Sequence, residues 1–334
     1  MKRIYQKIVG AFVLGILVPF VVLHIGGMAW NDEDKETAPK PQDTVSLPTE
    51  VGTSPAIKQP GYTVFVYMPD GDVMLMSMED YLVGVILAEM STEYEMAALQ
   101  AQAVAARTYA LRRQGEGRHP GGAVCTDSGC CQAYVGVAEY LDGLGYQEDV
   151  DKARQAAQTT RGEVITFEGE YIEATYFSCA GGKTEDAAAV WGVSYPYLQA
   201  VESPEENDRH HKVRVELSEE ELEEKLGRIL YGTPESWLGW TTYTAGDGVN
   251  TVFFGGQRYQ GTEFRSLLGL ASTAFALEPT ENGICITTSG KGHRVGMSQC
   301  GAQIMALDGC TYREILLHYY QGVSLENLDA MGIK

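Results

Sequence analysis

The sequence predicts an α+β fold, in which mixed short strands and helices form one cleft-bearing domain after an N-terminal membrane segment. Predicted strands and helices follow one another without the regular spacing of βαβ units. Of the 334 residues, 44% are hydrophobic and 21% are charged, which is enough apolar material for a sizeable core. An apolar run near the N-terminus is long enough to cross a bilayer.

The charge balance excludes some classes of partner. Asp and Glu number 45 against 25 Lys and Arg, so the formal net charge is −20. Such a chain is repelled by nucleic acid and by anionic lipid surfaces, so we expect no nucleic-acid partner. The seven cysteines are too few for a disulfide mini-protein, and three of them cluster, which suggests a metal site.

Residues 1–30 are predicted to form a cytoplasmic tip and a transmembrane anchor. Lys2, Arg3 and Lys7 precede an apolar run from Ile8 to Ile25. Positive charge before the span predicts a cytoplasmic N-terminus and an extracytoplasmic remainder. A cleaved signal peptide is the alternative, but the run is long for one and no clean small-x-small cleavage site follows.

Residues 31–60 are predicted to be a disordered linker, since they hold five of the twelve prolines and few apolar residues. The linker would hold the folded domain, residues 61–330, away from the membrane. That domain should begin with a hairpin of strands Tyr62–Met68 and Val73–Met78. Ser77 with Asp80 resembles a capping box for the helix that follows.

Residues 81–113 read as two helices with a break at residues 90–92. In the first helix, Leu82, Val85 and Glu89 share one stripe, so a carboxylate lies on the apolar face. Burial raises the pKa of a carboxyl group, and a raised pKa is what a general acid needs near neutral pH. The alternative is a solvated helix end, which is the commoner case.

The second helix is rich in alanine, which allows close packing. Gln100, Val104, Arg107 and Leu111 share a stripe there, so Arg107 should point inward. A buried arginine needs an anion, which could be a carboxylate such as Glu89 or a substrate.

The remaining predicted elements are a mixture of helices and short strands. Residues 163–167 and 171–177 should form a hairpin around Glu168-Gly169, and Ser218 should open a helix over residues 217–230. Further helices are predicted at residues 148–160, 298–307 and 311–320, and strands at residues 251–254, 273–277 and 284–288.

A loop after the second helix gathers metal-binding residue types. His119, Cys125, Cys130 and Cys131 lie within thirteen residues, and thiolate and imidazole are the donors that zinc prefers. The spacing is not that of a standard zinc finger. Adjacent cysteines can both ligate only if the backbone turns sharply, which Ser128-Gly129 permits. A vicinal disulfide or an incidental cluster is the alternative.

Two glycine-rich segments are candidates for a polar cleft. Residues 176–184 contain paired glycines and precede Trp191 and Tyr197, and residues 289–302 surround His293 with glycines before a helix. Glycine lets backbone approach a ligand closely, and a helix N-terminus exposes N–H groups. A tight turn and a solvated histidine are the ordinary alternatives. Cys179, Cys285, Cys300 and Cys310 could pair or stay as buried thiols.

Residues 81–113 resemble the signature of the stage II sporulation protein D family, which shares its domain with amidase-enhancer proteins. The family pattern is Y-L-x-G-V-x-x-x-E-M followed by A-x-x-A-Q-A-V-A-A-R-T-Y-A, matched here by residues 81–90 and 98–110. Two further blocks resemble the family, S-x-x-G-G-x-T…V-W-G…P-Y-L and G-H-G-V-G-M-S-Q-Y-G-A. Three positions depart from it: Gln199 replaces Lys, Arg294 replaces Gly and Cys300 replaces Tyr.

The resemblance implies specific roles. Glu89 would be the catalytic residue, and the residues that contact substrate would be Arg107, Ser178, Tyr197, His293, Ser298 and Gln299. The C-T-D…C-Q-A-Y core of some family members matches residues 125–127 and 131–134. It implies a structural zinc held by His119, Cys125, Cys130 and Cys131. Arg294 would either restrict its loop or add a cation to the cleft.

The function implied is that of a membrane-anchored lytic transglycosylase that cleaves peptidoglycan glycan strands, stripped of stem peptides, during engulfment of the forespore. Its partners would be a sporulation P-type amidase/endopeptidase and an M-type membrane protein. The alternative is a non-catalytic glycan-binding activator of an amidase. A zinc peptidase is disfavoured because the chain has no H-E-x-x-H.

Overall fold

A computed structural model describes residues 61–143, 145–204, 210 and 212–332. The predicted anchor and linker lie outside these residues. Within the described part, helices and short strands are mixed in the way an α+β fold requires, which confirms the predicted class. None of the helices described there has the length and apolar character needed to span a bilayer.

The described chain begins with an antiparallel hairpin, as predicted. Strand β1 (Thr63–Tyr67) pairs with β2 (Val73–Ser77), and β3 (Val124–Cys125) adds to β1 in parallel. Val64 and Val66 alternate with exposed residues along β1 and are fully buried, so one face of the sheet packs on the core. The β1–β3 pairing carries Cys125 to the edge where Tyr67 ends β1.

Two helices form the centre of the fold and of its first apolar core. Helix α1 (Met78–Glu89) begins where Ser77 Oγ accepts a hydrogen bond from Asp80 N, and it ends at Glu89 because Met90 is extended. Helix α2 (Met96–Glu116) ends at Gly117, whose φ of 65° is a left-handed C-cap. The alanines of α2 are almost all fully buried, so neighbouring helices pack closely against it.

The next elements cover α2. They are the short helix α3 (Val137–Asp142), helix α4 (Gln147–Thr159), and strands β4 (Glu163–Phe167), β5 (Glu170–Tyr171) and β6 (Tyr176–Phe177). The hairpin predicted for residues 163–167 and 171–177 is confirmed only in part. Residues 170–171 pair with β4, whereas β6 leaves that sheet and pairs elsewhere. Tyr320 helps to fix the chain just before β6, since its hydroxyl donates to Thr175 O at 2.8 Å.

A second apolar core is built from residues 213–289. Strand β7 (Val213–Ser218) precedes helix α6 (Glu219–Leu226), and α7 (Pro234–Trp237) precedes strands β8 (Leu238–Tyr243), β9 (Val249–Phe254) and β10 (Gln257–Gln260). Helix α8 (Gly261–Leu268), β11 (Ala274–Pro279) and β12 (Gly283–Ser289) complete it. The helix predicted over residues 217–230 is shorter, because Gly227 adopts a φ of 66° and ends it.

The C-terminal part returns to the first core. Before it, helix α5 (Ala187–Trp191) follows β6. Strand β13 (Met297–Ser298) pairs with β6 in parallel and leads into α9 (Gln299–Leu307). Helix α10 (Tyr312–Tyr319) starts in the predicted capping box of Thr311 and Glu314, and β14 (Ser324–Asn327) pairs with β4. The β6–β13 pairing joins the two glycine-rich segments.

Candidate functional site

A cleft of about 830 Å³ lies where the first core is open to solvent. This volume is within the usual range for small-molecule sites, which is roughly 300–1,000 Å³. Its walls come from the end of α1, the C-terminal half of α2, the Cys-rich loop, β6 and the loop before β13. Its lining includes Glu89, Arg113, Glu173, Ser178, Trp191 and His293.

Glu89 is the last residue of α1 and is half-buried in the cleft wall. Its Oε1 accepts a hydrogen bond from Ala133 N at 2.8 Å, and the side chain of Gln299 also bonds to it. Burial raises the pKa of Glu89 above its ordinary value, and these two donors oppose the rise. The carboxyl group therefore favours the protonated form more than a solvated glutamate does.

Two further carboxylates line the cleft, and sequence spacing gave no sign of them. Glu173 is buried and forms ion pairs with Arg113 and with Arg112, whose Nε lies 3.1 Å from Glu173 Oε2. Glu116 accepts from Arg113 at 2.6 Å. Both acids are held by arginines, whereas Glu89 has no ion-pair partner among the described residues. The cleft thus contains one carboxyl group suited to giving up a proton.

His293 lies in the cleft between aromatic rings. Its ring centroid is 5.5 Å from that of Phe177 and 5.2 Å from that of Trp191. Burial, with a contribution from the positive charge of Arg265, lowers the pKa of His293 to about 4. Nδ1 accepts from Val295 N at 3.1 Å. His293 is therefore neutral near pH 7 and serves as a polar, uncharged wall.

Ser178 lines the cleft, as expected, but three other predicted substrate residues do not. Ser298 is fully buried and caps α9 by accepting from Gly301 N at 3.2 Å. Gln299 lies behind Glu89, with its Nε2 3.4 Å from Gln102 Oε1. Tyr197 accepts from Glu173 N at 3.0 Å through its hydroxyl oxygen. These three support the wall of the cleft instead of facing its space.

Arg107 points inward, as predicted, but away from the cleft. It is 0% exposed, and its guanidinium donates to Ala157 O and Glu163 O, each at 3.1 Å. Its carboxylate partner is Glu79 at 4.0 Å, not Glu89. The structure therefore does not place Arg107 among the residues of the cleft, because its donors are used to join α2 to α4 and β4.

The three positions that depart from the family pattern each make a specific contact. Arg294 has a φ of 66° and is 1% exposed; it donates to Ala180 O at 2.8 Å and pairs with Glu185 at 3.2 Å. It restricts its loop and adds no cation to the cleft. Gln199 is exposed and bonds to Pro196 O at 2.9 Å. Cys300 forms a disulfide with Cys179.

The Cys-rich loop brings the four predicted metal ligands together. The ligand atoms of His119, Cys125, Cys130 and Cys131 all lie within 4.8 Å of one another. His119 Nε2 is 3.4 Å from the sulfur of Cys130 and 3.5 Å from that of Cys131. Tetrahedral zinc, with bonds of about 2.3 Å to sulfur and about 2.0 Å to nitrogen, requires roughly 3.5 Å between such donors. The donor set fits zinc, and all three cysteines are free thiols, not a vicinal disulfide.

The fold of this loop follows from Asp127. Its backbone carbonyl accepts from Cys130 N at 3.0 Å and from Cys131 N at 2.8 Å, and its side chain accepts from Gly129 N. This is the sharp turn that the sequence predicted at Ser128-Gly129. Two residues later the loop reaches the cleft, where Ala133 N holds Glu89. The loop that carries the four candidate ligands therefore supports the segment that positions the carboxyl group.

Gln132 joins the loop to the cleft wall. Its Nε2 donates to Tyr81 OH at 3.0 Å, and its Oε1 accepts from Tyr176 OH at 2.7 Å. Gln132 is 2% exposed, so these bonds are shielded from water. Gln132 was not predicted as a site residue, although its place in the C-Q-A-Y core, directly after a candidate ligand, was a signal in the sequence.

Known proteins resemble this chain over most of its length. Residues 71–167 match the SpoIID family, described as Stage II sporulation protein. Stage II sporulation protein D of Bacillus amyloliquefaciens is 34% identical over 340 residues, 99% of this chain and 97% of the relative. That of Bacillus subtilis (strain 168) is 34% identical over 84% of this chain and 86% of the relative.

A more distant relative has a different name. The Amidase enhancer of Bacillus subtilis (strain 168) is 27% identical over 73% of this chain and 40% of its own length. The match to the sporulation proteins extends over nearly all of both chains, and the blocks around Glu89, Ser178 and His293 occur in the family order. This chain belongs to the stage II sporulation protein D family.

Proposed function

We propose that this protein is a lytic transglycosylase that cleaves peptidoglycan glycan strands to 1,6-anhydro-N-acetylmuramic acid ends during sporulation. The observation that carries the proposal is Glu89, a half-buried carboxyl group with a raised pKa and no arginine partner among the described residues. Most glycosidases need two carboxylates that act in separate roles. The other acids of this cleft, Glu116 and Glu173, are engaged by arginines.

One carboxyl group is enough for the proposed reaction. Glu89 donates its proton to the glycosidic oxygen as the bond to C1 of N-acetylmuramic acid breaks. The C6 hydroxyl of the same sugar then attacks C1, and ionised Glu89 takes the C6 proton. No water is consumed, the glutamate returns to its starting state, and the product carries a 1,6-anhydro ring.

The walls of the cleft support a sugar ligand. Trp191 is 40% exposed and lies beside the neutral ring of His293. Aromatic faces of this kind pack against sugar rings, while Ser178 and Lys291 offer polar contacts nearby. We propose Ser178 and His293 as substrate contacts, and we propose Tyr197, Ser298 and Gln299 as their supports.

We further propose a structural zinc ion at His119, Cys125, Cys130 and Cys131. With four protein ligands, such an ion keeps no open position and supplies rigidity to the loop, not a chemical step. The residues themselves do the positioning, since Ala133 N holds the carboxyl group of Glu89.

The proposed setting is the mother-cell membrane, with a single span at residues 8–25 and the domain facing the septal wall. The proposed partners are stem-peptide-free glycan, a sporulation P-type amidase/endopeptidase and an M-type membrane protein; the amidase-enhancer relative supports an amidase partner. Protease added to cells without their outer wall should digest the folded domain, and its protection would refute this topology.

The decisive experiment is mass spectrometry of stem-peptide-free glycan after incubation with the purified protein. Wild type should release anhydro-ended fragments. Glu89→Gln preserves size but cannot transfer a proton, so turnover should fall by about 10²–10⁴-fold or more. Glu93→Gln is the matched control, because Glu93 is exposed beyond the end of α1. Normal anhydro product from Glu89→Gln would remove Glu89 as the acid.

A non-catalytic activator of a cell-wall amidase is the second candidate, favoured by the name of the amidase-enhancer relative. In that case Glu89 is structural and the cleft only presents glycan to the amidase. The same samples distinguish the two functions. An activator leaves no anhydro ends with wild type, and its Glu89→Gln variant stimulates the partner amidase fully.

A further inference from the structure

The disulfide between Cys179 and Cys300 joins two segments that are 121 residues apart in sequence and meet at the wall of the cleft. Cys179 directly follows Ser178, which lines the cleft. Cys300 directly follows Gln299, whose side chain bonds to Glu89. The covalent link therefore lies one residue from a cleft-lining side chain and one residue from a hydrogen-bond partner of the proposed acid.

Backbone hydrogen bonds also join the two segments that the disulfide links. Cys300 N donates to Ser178 O at 2.9 Å, and Cys179 exchanges hydrogen bonds with Lys291 at 2.7 and 3.1 Å. The β6–β13 ladder spans only two residue pairs, Met297 with Tyr176 and Ser298 with Phe177. A two-residue parallel ladder contributes little by itself. The start of α9 is also buried in the core, and the disulfide adds a covalent link to this short pairing.

The start of α9 determines where Gln299 lies. Gln299 is the first residue of α9, 7% exposed, and its amide lies between Glu89 and Gln102. A shift of α9 along β6 would move this amide away from the carboxyl group of Glu89. Because Ala133 N is the other donor to Glu89, the carboxyl group would then be held from one side only.

We propose that the Cys179–Cys300 disulfide is a positioning element for the acid: it fixes Gln299 against Glu89 and keeps the carboxyl group oriented into the cleft. The proposal rests on the proposed glycan-cleaving function. It also gives a role to the Cys300 departure, since the pattern that residues 289–302 resemble has tyrosine there. This chain uses a covalent link to Cys179 at a position where that pattern has a phenol.

The test compares Cys179→Ala, Cys300→Ala and the double variant with wild type, all as full-length protein. If the two cysteines act only as a disulfide, each single variant and the double variant should lose the same activity. We expect kcat to fall roughly tenfold, below the 10²-fold that a 1 Å misplacement can cause, with KM nearly unchanged. Neither sulfur lines the cleft, so uniform substrate binding should survive.

Reduction of folded wild type provides the same perturbation without a mutation. A phosphine cleaves the S–S bond to give two thiols and becomes a phosphine oxide whose oxygen comes from water. The reduced protein should match the double variant, and the double variant should not respond to phosphine. Cys285→Ala is the control, because Cys285 is a free buried thiol in the second core. Metal content is measured in each sample to exclude effects on the Cys-rich loop.

A second readout does not depend on activity. Peptide mapping of unreduced protein should find Cys179 linked to Cys300, and amide hydrogen exchange over residues 297–303 should rise on reduction. If wild type cleaves no glycan, the proposed function fails, and faster exchange still supports the positioning role. Free thiols at both positions, or additive losses in the two single variants, would overturn the inference. Unchanged exchange and unchanged kcat after complete reduction would overturn it equally.

Discussion

Because Arg107 is buried, we predict that its replacement lowers the thermal stability of the protein and leaves glycan binding intact. Its guanidinium is fully buried and donates to the carbonyl oxygens of Ala157 and Glu163, with Glu79 at 4.0 Å. Replacement by methionine fills most of the volume but leaves these acceptors without donors. Burial lowers the pKa of Arg107 to about 10, so the group is still charged at neutral pH.

The magnitude follows from the groups left behind. Removing one member of a buried, hydrogen-bonded charge network costs about 3–5 kcal/mol. For a domain of this size each kcal/mol lowers the melting temperature by roughly 2–4 °C. Arg107→Met should therefore melt roughly 6–20 °C below wild type. Arg107→Lys keeps the charge but not the planar guanidinium, so its melting temperature should lie between those of wild type and Arg107→Met.

The assay is thermal unfolding followed by glycan binding at a temperature where both variants are folded. Arg154→Met is the matched control, since Arg154 pairs with Asp80 at 2.9 Å while both side chains are well exposed. Exposed pairs contribute at most about 1 kcal/mol, so this control should change little. Arg107→Met with normal melting and much weaker glycan binding would refute the structural assignment.

The remaining predictions concern the metal cluster, the acid and the histidine. Protein purified without added zinc should contain about one zinc per chain. Cys125→Ser should lose this zinc, whereas the control Cys285→Ser should keep it. A full zinc content in Cys125→Ser would reject the ligand assignment. Gln299→Ala removes a hydrogen-bond donor that lowers the pKa of Glu89. Activity is lost at high pH as the acid ionises, and in this variant the loss should begin at a higher pH. An unchanged pH profile would exclude the contact between Gln299 and Glu89. The pKa of His293 is depressed to about 4, so its stabilising effect is full above the unfolded value of about 6.5 and is lost as pH falls toward 4. The difference in unfolding free energy between wild type and His293→Gln should shrink over that range, and a constant difference would show that His293 is not buried in its neutral form.

The position of Glu89 could be predicted because it depends on local periodicity. A helix of 3.6 residues per turn puts Leu82, Val85 and Glu89 on one stripe, and the stripe faces the interior as expected. The same reasoning correctly turned Arg107 inward, but it could not identify Glu79 as the carboxylate that lies near it. Periodicity gives the direction of a side chain from its own helix, and it contains no information about which distant segment packs there.

The ion pairs of the cleft illustrate what sequence spacing leaves open. Glu173 meets Arg112 and Arg113 across a separation of about sixty residues, and this meeting depends on how β5 and β6 pass over α2. The hairpin predicted for residues 171–177 would have directed Glu173 elsewhere. A strand that changes partners, as β6 does by pairing with β13, has the same local pattern as one that does not.

Some errors had local signals that a stricter reading would have used. The helix predicted to residue 230 ends at Gly227, and glycine after a charged turn is an ordinary stop signal. The proximity of the four candidate metal ligands, by contrast, could be predicted, since they lie in one short loop. Ligands close in sequence constrain one another, whereas the Cys179–Cys300 pairing spans 121 residues and had many rivals.

A reaction that uses a single carboxyl group twice makes two opposed demands on it. The first step needs a protonated group, which desolvation at the end of α1 favours. The second step needs a stable anion, which hydrogen-bond donors favour, and both donors to Glu89 named above come from outside α1. Ala133 N is fixed by the Cys-rich loop, and Gln299 is fixed by the start of α9. The Cys-rich loop therefore supports one of the two donors to this carboxyl group, and in our proposal the disulfide supports the other. If the proposed function is correct, loosening either donor should impair proton return more than proton donation, because hydrogen bonds stabilise the ionised carboxylate more than the protonated group.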